Sequence, residues 1–388
     1  MFHNVKQLPI PKGPFTVGTL NFDFLDESRH SIFEFDTSSK RLIPTLFFYP
    51  GETVTGMKPN PYACDEAIQY LRKSVLNLVS NSVKHIKTST YSNIPLTSQI
   101  NKFPILFFNM GYFGYLEQNT ALCSELASQG YIVISIGHPY ESGALKYTDG
   151  QINHAHSTLV DEFKTTMNKE ARKHFSELLK ETIDDASIQS KITPFFDRFK
   201  QTHVWNDVKV WSDDTRFIAN KLDELQNGTI PSPFTNRLDI SRGFGITGHS
   251  YGGCTALQTL LDDERFKCGI NMDAPTYGNY WDKDINKPLG IIGSYVVETL
   301  SRTPYLLNSK ESYLIKIEDT QHMDYTDHIF FAQQLKYLKL IGKRDMNLVH
   351  TILCDYHKAF FDYHLLGKES KILGLSYQGV SIRQKKDE

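Results

Sequence analysis

The sequence predicts an α/β protein with a mostly parallel central sheet, antiparallel strands at its N-terminal side and an inserted helical cap. Three observations carry this. Two nearly continuous apolar runs, Phe103-Pro-Ile-Leu-Phe-Phe-Asn and Tyr131-Ile-Val-Ile-Ser-Ile, read as strands covered on both faces. Between them Leu122 and Leu126, and Cys123 and Ala127, recur four apart as in a helix that ends at Gly130, so the unit is a right-handed parallel crossover. Finally, Gly245-Ile-Thr-Gly-His-Ser-Tyr-Gly-Gly253 joins a strand-like stretch to an amphipathic helix marked by Cys254, Leu257, Leu260 and Leu261.

The elements follow in order. Thr16–Phe24, Ser31–Phe35 and Leu42–Tyr49 alternate or concentrate β-formers between turn residues, as in an antiparallel start to a mixed sheet. Residues to about Gln99, with a helical piece near Asp65–Ser80, form a surface excursion. From Glu141 to Trp205 the alternation stops, and charged amphipathic helices such as that around Glu170–Lys180 predict a cap at 141–205 inserted into a single domain spanning 1–388. A helix at Trp211–Leu225 leads into the Gly-rich strand. Beyond it, Lys267–Met272, Pro288–Gly293 and Tyr313–Ile317 are strands, each followed by a loop. Helices near Tyr325–Leu340 and Val349–Leu366 close the chain, and Arg383–Glu388 reads as a frayed polar tail.

Whole-chain numbers exclude several classes. A formal net charge of −2 gives no field for nucleic acid, and 40% hydrophobic with 22% charged residues describes a globular protein with a large core. The five cysteines form no Cys-x-x-Cys pair, so free thiols are expected, with no metal and no cofactor. No signal peptide and no apolar run long enough to span a membrane is seen, which predicts a soluble protein, cytoplasmic or exported without a cleavable signal.

Ser250 stands between glycines two residues away on either side, the pattern of a nucleophile elbow in the α/β-hydrolase fold. A serine hydroxyl is a poor nucleophile near neutral pH and needs an imidazole base, which in turn needs an acid to hold its tautomer. In this fold the chain order is serine, acid, histidine. Asp273 ends the strand after the elbow helix and is the acid. His322, in the loop after Tyr313–Ile317, is the base; its rival His328 falls on a helix, as do His350 and His357. The backbone N–H groups of Tyr251 and of Tyr112, in the Gly-containing loop Asn109–Gly114, would form the oxyanion hole. Gly111 in that loop and His138 at the next strand end are expected to contact substrate, and His249 to pack under the elbow.

With these residues in place, the chain resembles the plasma-type platelet-activating factor acetylhydrolase family. The resemblance lies in Ile10-Pro-Lys-Gly-Pro-Phe-Thr-Val-Gly, Leu238-Asp-Ile-Ser-Arg, Gly248-His-Ser-Tyr-Gly-Gly, Arg265-Phe-Lys-Cys-Gly-Ile and Met272-Asp-Ala. It implies a calcium-independent serine esterase, with Ser250, Asp273 and His322 as its triad, acting on short or oxidised sn-2 acyl chains of phospholipids. The implied partners are a lipid or small ester and a transient membrane-surface contact. The family commonly carries His-Gly at the start of the oxyanion loop, where this chain has Met110-Gly111. A general carboxylesterase, a polyester hydrolase and an inactive binding scaffold are the competing readings, because an elbow identifies no acyl chain.

Overall fold

The apolar runs sit at the centre of the sheet, where every residue of the strands they form is buried. In the computed structural model, which describes residues 6–31, 40–369 and 371–387, these runs are β4 (Ile105–Asn109) and β5 (Ile132–Ile136), with no exposed position in either. They pair in parallel, with Ile105 opposite Ile132, and α2 (Thr120–Ser128) crosses between them. The strand leading to the elbow, β8 (Phe244–His249), pairs in parallel with β4 on one side and with β9 (Phe266–Met272) on the other. From β9 the sheet continues in parallel through β10 (Leu289–Gly293) to β11 (Ser312–Ile317).

The N-terminal side is antiparallel, as expected. Long β1 (Thr16–His30) pairs with β2 (Lys40–Gly51), and β2 pairs with β5. Among the described residues the sheet has ten strands in the order β12-β11-β10-β9-β8-β4-β5-β2-β1-β3, the arrangement of an α/β hydrolase. The strand expected at Ser31–Phe35 lies almost wholly outside the described residues.

Four differences from the sequence reading have physical causes. Thr90–Ser92 adds a short edge strand, β3, beside β1; it lies in the excursion that also holds α1 (Asp65–Ser74), shorter than expected. The first three residues of the expected tail, 383–385, complete β12 (Val380–Lys385), antiparallel to β11, because alternating Val380, Ile382 and polar residues suit a sheet edge with one wet side. Within 141–205 a hairpin, β6 (Ala144–Lys146) with β7 (Ile152–His154), precedes the helices α3 (Ser157–Thr166), α4 (Lys169–Leu178) and α5 (Ile188–Asp197). Instead of one helix at 325–340 there is only the single turn α9 (His328–Phe331), flanked by 3₁₀ turns. There the Asp327 carboxylate accepts the Ala121 N–H at the start of α2, and this tertiary contact replaces local helix propagation.

The long helix α6 (His203–Gln226) packs against α7 (Tyr251–Asp262), which starts at the elbow; short α8 (Arg302–Leu307) packs on β10 and β11, and α10 (Met346–His364) packs on α2. Phe196 of α5 and Phe199 meet the Tyr277 ring at 5.6 and 5.1 Å, which docks the inserted helices on the loop after β9. Beneath the loops, Arg41 of β2 is fully buried, its Nε donating to Asp214 Oδ1 at 2.7 Å and one Nη to Glu141 at 3.1 Å. A buried charge has to be paired, so this contact fixes β2, α6 and the loop after β5 relative to one another.

Candidate active site

The site is built by four loops at the carboxyl ends of the parallel strands β4, β8, β9 and β11. Ser250 follows β8 with φ 55° and ψ −125°, a backbone conformation that side chains resist and that holds the residue between strand and helix. The turn closes tightly: a Cβ on Gly252 would come within 2.0 Å of the Asn109 carbonyl oxygen, so only glycine fits. The Ser250 N–H donates to the Met272 carbonyl at 2.9 Å, tying the elbow to the end of β9.

Asp273 is the next residue after β9 and is fully buried. Its Oδ1 accepts from the Ser294 N–H at 2.7 Å and the Ser294 hydroxyl at 2.8 Å, and its Oδ2 lies 2.8 Å from His322 Nδ1. The other ring nitrogen, Nε2, is 2.9 Å from Ser250 Oγ. With a carboxylate on one side, Nδ1 carries the proton, and Nε2 is left to accept from the serine. The imidazole is about one third exposed while the carboxylate behind it is dry, so the pair opens outward from the protein.

On the opposite side of Ser250 lies the loop after β4. A side chain on Gly111 would meet Ser250 Cβ at 3.4 Å. The N–H of Gly111 donates to the Gln118 side chain, that of Phe113 to Glu141 and that of Gly114 to Gly111, whereas Tyr112 N–H has no acceptor among the described residues. Tyr251 N–H, in the first turn of α7, also lacks one, as first-turn amides do. The two amides expected to point at an oxyanion are therefore uncommitted.

His138 corrects the expectation of a substrate contact. It is fully buried, its ring stacks on Trp211 at 3.7 Å, Nδ1 bonds Asp214 at 2.8 Å and Nε2 bonds the Asn109 side chain at 3.0 Å. Burial holds its pKa down to about 4 despite the neighbouring Asp214. It belongs to the Arg41 network below the loops. Gly111 is likewise buried with its N–H occupied, so it shapes the loop and offers no donor to substrate. His328 is buried too, bonded to the Tyr115 hydroxyl at 2.9 Å and held by burial to a pKa of about 3. The sequence reading missed Ser294 and Gln118, and the one available signal was that Ser294 directly follows a buried strand. Among the described residues no group of three His, Cys, Asp or Glu could hold a metal ion, and no helix is long and apolar enough to cross a membrane.

A model of the family described as platelet-activating factor acetylhydrolase, isoform II, matches residues 2–372. The chain is 24% identical to a platelet-activating factor acetylhydrolase of Gallus gallus over 68% of its length, and 26% identical to that of Cavia porcellus over 72%. Those matches span 62% and 61% of the two relatives' own lengths. A probable 1-alkyl-2-acetylglycerophosphocholine esterase of Arthroderma benhamiae is 24% identical over 73% of this chain and 62% of its own. In three dimensions a ferulic acid esterase from Streptomyces cinnamoneus superposes with a TM-score of 0.73, covering 97% of this chain and 99% of its own at 21% identity, a likeness of fold.

Proposed function

This chain belongs to the platelet-activating factor acetylhydrolase, isoform II, family, and on that premise we propose that it is a serine esterase cleaving the sn-2 acyl ester of phospholipids with short or oxidised chains. The single observation that carries the proposal is the continuous series Asp273 Oδ2, His322, Ser250 Oγ, with hydrogen-bond lengths of 2.8 and 2.9 Å.

In this reading Ser250 Oγ attacks the ester carbonyl carbon while its proton passes to His322 Nε2. The carbonyl oxygen becomes an oxyanion held by the N–H groups of Tyr112 and Tyr251, in a first-turn position that the α7 dipole also favours. Asp273 stabilises the imidazolium and fixes its orientation. Collapse expels the lysophospholipid alkoxide, which takes the proton back from His322, and leaves an acyl-enzyme. Water then repeats the sequence, giving the fatty acid and free Ser250. Nothing in these steps needs a metal or a cofactor, and chelation should leave turnover unchanged.

Residues 141–205 would act as a cap within one domain. Phe163 of α3 comes within 6.2 and 6.0 Å of the Tyr112 and Phe113 rings, beside the oxyanion loop, so this helix would bound the acyl chain. Phe175 instead packs on Phe195 inside the cap, and Leu178 is buried. A transient membrane contact is supported by Tyr337 and Leu338, 74% and 44% exposed beside Lys336, Lys339 and Lys343. That stretch is tied to the His322 loop by the Met323 N–H to Leu340 carbonyl bond of 2.9 Å. Aromatic and cationic side chains together suit a lipid headgroup surface.

The test is direct. A fluorophosphonate should label Ser250 alone, and Ser250→Ala should abolish hydrolysis of 1-alkyl-2-acetylglycerophosphocholine while the protein stays folded. Turnover that survives in the variant would sink the proposal, and hydrolysis of simple esters without phospholipid turnover would move it to a general carboxylesterase.

A further inference from the structure

We propose that Gln118 is a positioning residue of this site, tying the loop that carries Tyr112 to the loop that carries His322 through the ring of His249. The inference rests on the esterase reading above and adds a residue that no motif in the sequence marks.

Three hydrogen bonds run in series. His249 Nε2 lies 3.0 Å from the His322 backbone carbonyl, His249 Nδ1 lies 2.9 Å from Gln118 Nε2, and Gln118 Oε1 accepts the Gly111 N–H at 3.3 Å. Each assignment forces the next. A carbonyl oxygen only accepts, so His249 must carry its proton on Nε2; the bare Nδ1 then accepts from the Gln118 amide, which turns the Gln118 oxygen toward Gly111. Burial, with the rings of His322 and His328 facing it, holds the His249 pKa well below its ordinary value, so the ring is neutral and has one donor and one acceptor to use. Both His249 and Gln118 are buried, 2% and 3% exposed; the two bonds made by Gln118 are buried and the one to the His322 carbonyl is partly so.

Gly114 leaves room for this side chain. A Cβ on Gly114 would come within 2.1 Å of Gln118 Oε1, so a glycine there is what allows the carboxamide to reach the loop. The turn holding Gln118 is also stitched to the base loop by two further hydrogen bonds. Asp327 N–H donates to the Gln118 carbonyl at 3.0 Å, and the Asn119 side chain donates to the Tyr325 carbonyl at 2.7 Å. Met110 takes only the Ser142 hydroxyl, through its sulfur at 3.6 Å, and Gln118 is the side chain that holds the Gly111 amide.

A donor and a base must both be placed to within about 0.5 Å of their working positions, and here they stand on loops more than two hundred residues apart in sequence. Gln118 references one to the other. Its contribution is made to the transition state, since the Tyr112 N–H is used only when charge builds on the carbonyl oxygen, so its loss should appear in kcat and not in KM.

The experiment compares the parent with Gln118→Leu, which removes both bonds, and Gln118→Glu, which keeps an acceptor for Gly111 but offers no donor to His249. With p-nitrophenyl acetate, Gln118→Leu should lower kcat about 10- to 100-fold with KM within about twofold. Gln118→Glu should recover part of that loss. In ¹⁵N-histidine spectra the parent His249 should be a single Nε2–H tautomer, the Leu variant should keep that tautomer with its Nδ1 resonance shifted by loss of the Gln118 donor, and the Glu variant should draw a second proton onto Nδ1 at mildly acid pH. Should the Leu variant fail to fold, the Glu variant carries the same comparison. A Gln118→Leu kcat within about twofold of the parent, a loss confined to KM, or an unchanged His249 spectrum overturns the proposal. A parent that neither turns over the ester nor is labelled at Ser250 overturns the esterase reading alone, because the His249 spectra still test the link.

Discussion

Asp273 shows how much of the site depends on one carboxylate. Fully buried, it accepts two bonds from Ser294 and one from His322. Asp273→Asn keeps the volume but cannot hold the imidazole in the right tautomer or stabilise its charge, so steady-state turnover should fall by roughly four orders of magnitude with little change in melting temperature. A loss below tenfold would remove Asp273 from the mechanism. His328 offers the opposite case: it is remote from Ser250 Oγ in function and kept neutral by burial, with a pKa of about 3. Its folded pKa lies below the unfolded one, so it contributes stability that is present above about pH 6.5 and lost as pH falls toward 3. In His328→Asn the drop in melting temperature between pH 7 and pH 4 should be smaller than in the parent, and hydrolysis should remain within a few-fold. An equal or steeper drop would contradict this. Ser250, Asp273 and His322 could be found in the sequence because each follows a strand in the order the fold demands. Gln118 and the fate of His138 could not, since which buried polar group meets which depends on loops brought together from distant parts of the chain.

Among the elements, the elbow is the least tolerant. A Cβ on Gly252 would strike the main chain at Asn109, not a yielding side chain, so Gly252→Ala should cost about 1–3 kcal/mol by urea unfolding and also displace the oxyanion loop. Unchanged stability would show that the β8 to α7 turn can relax, contrary to its geometry. The long apolar strands and amphipathic helices were legible because their period is set by burial alone. β12 was not, because a polar hexapeptide becomes a strand only when β11 presents an unpaired edge to it. The broken 325–340 segment was hidden for a similar reason. Its periodicity suits a helix, but the buried Asp327 is drawn to the α2 amides and stops it.

At the scale of the molecule, Arg41 joins elements that are far apart in the chain. Its guanidinium bonds Asp214 of α6 and Glu141 in the loop after β5, and the carboxylates push its pKa upward against the cost of burial. Arg41→Met would leave those acids short of a cation, and a loss of about 3–5 kcal/mol is expected from urea unfolding at pH 7. A loss below about 1 kcal/mol would mean that Arg29, 2.9 Å from Asp214, takes over. The helices of 141–205 supply the other molecular prediction. If α3 bounds the acyl pocket through Phe163, kcat/KM on phosphatidylcholines should fall as the sn-2 chain lengthens, and Phe163→Ala should relax that dependence; a profile that rises toward long chains in the parent would refute it.

By itself the sequence determined the fold class, the crossover strands, the elbow and the three residues in line at it, because hydrophobic period and glycine placement are local properties fixed by burial and backbone sterics. Only the tertiary structure decided where the buried polar side chains go. His138 joined Arg41 and Asp214, Ser294 took the free oxygen of Asp273, and Gln118 bridged two loops through His249. A buried donor or acceptor has to find a partner, and that partner is chosen by distance in the folded molecule, a quantity that chain order does not contain.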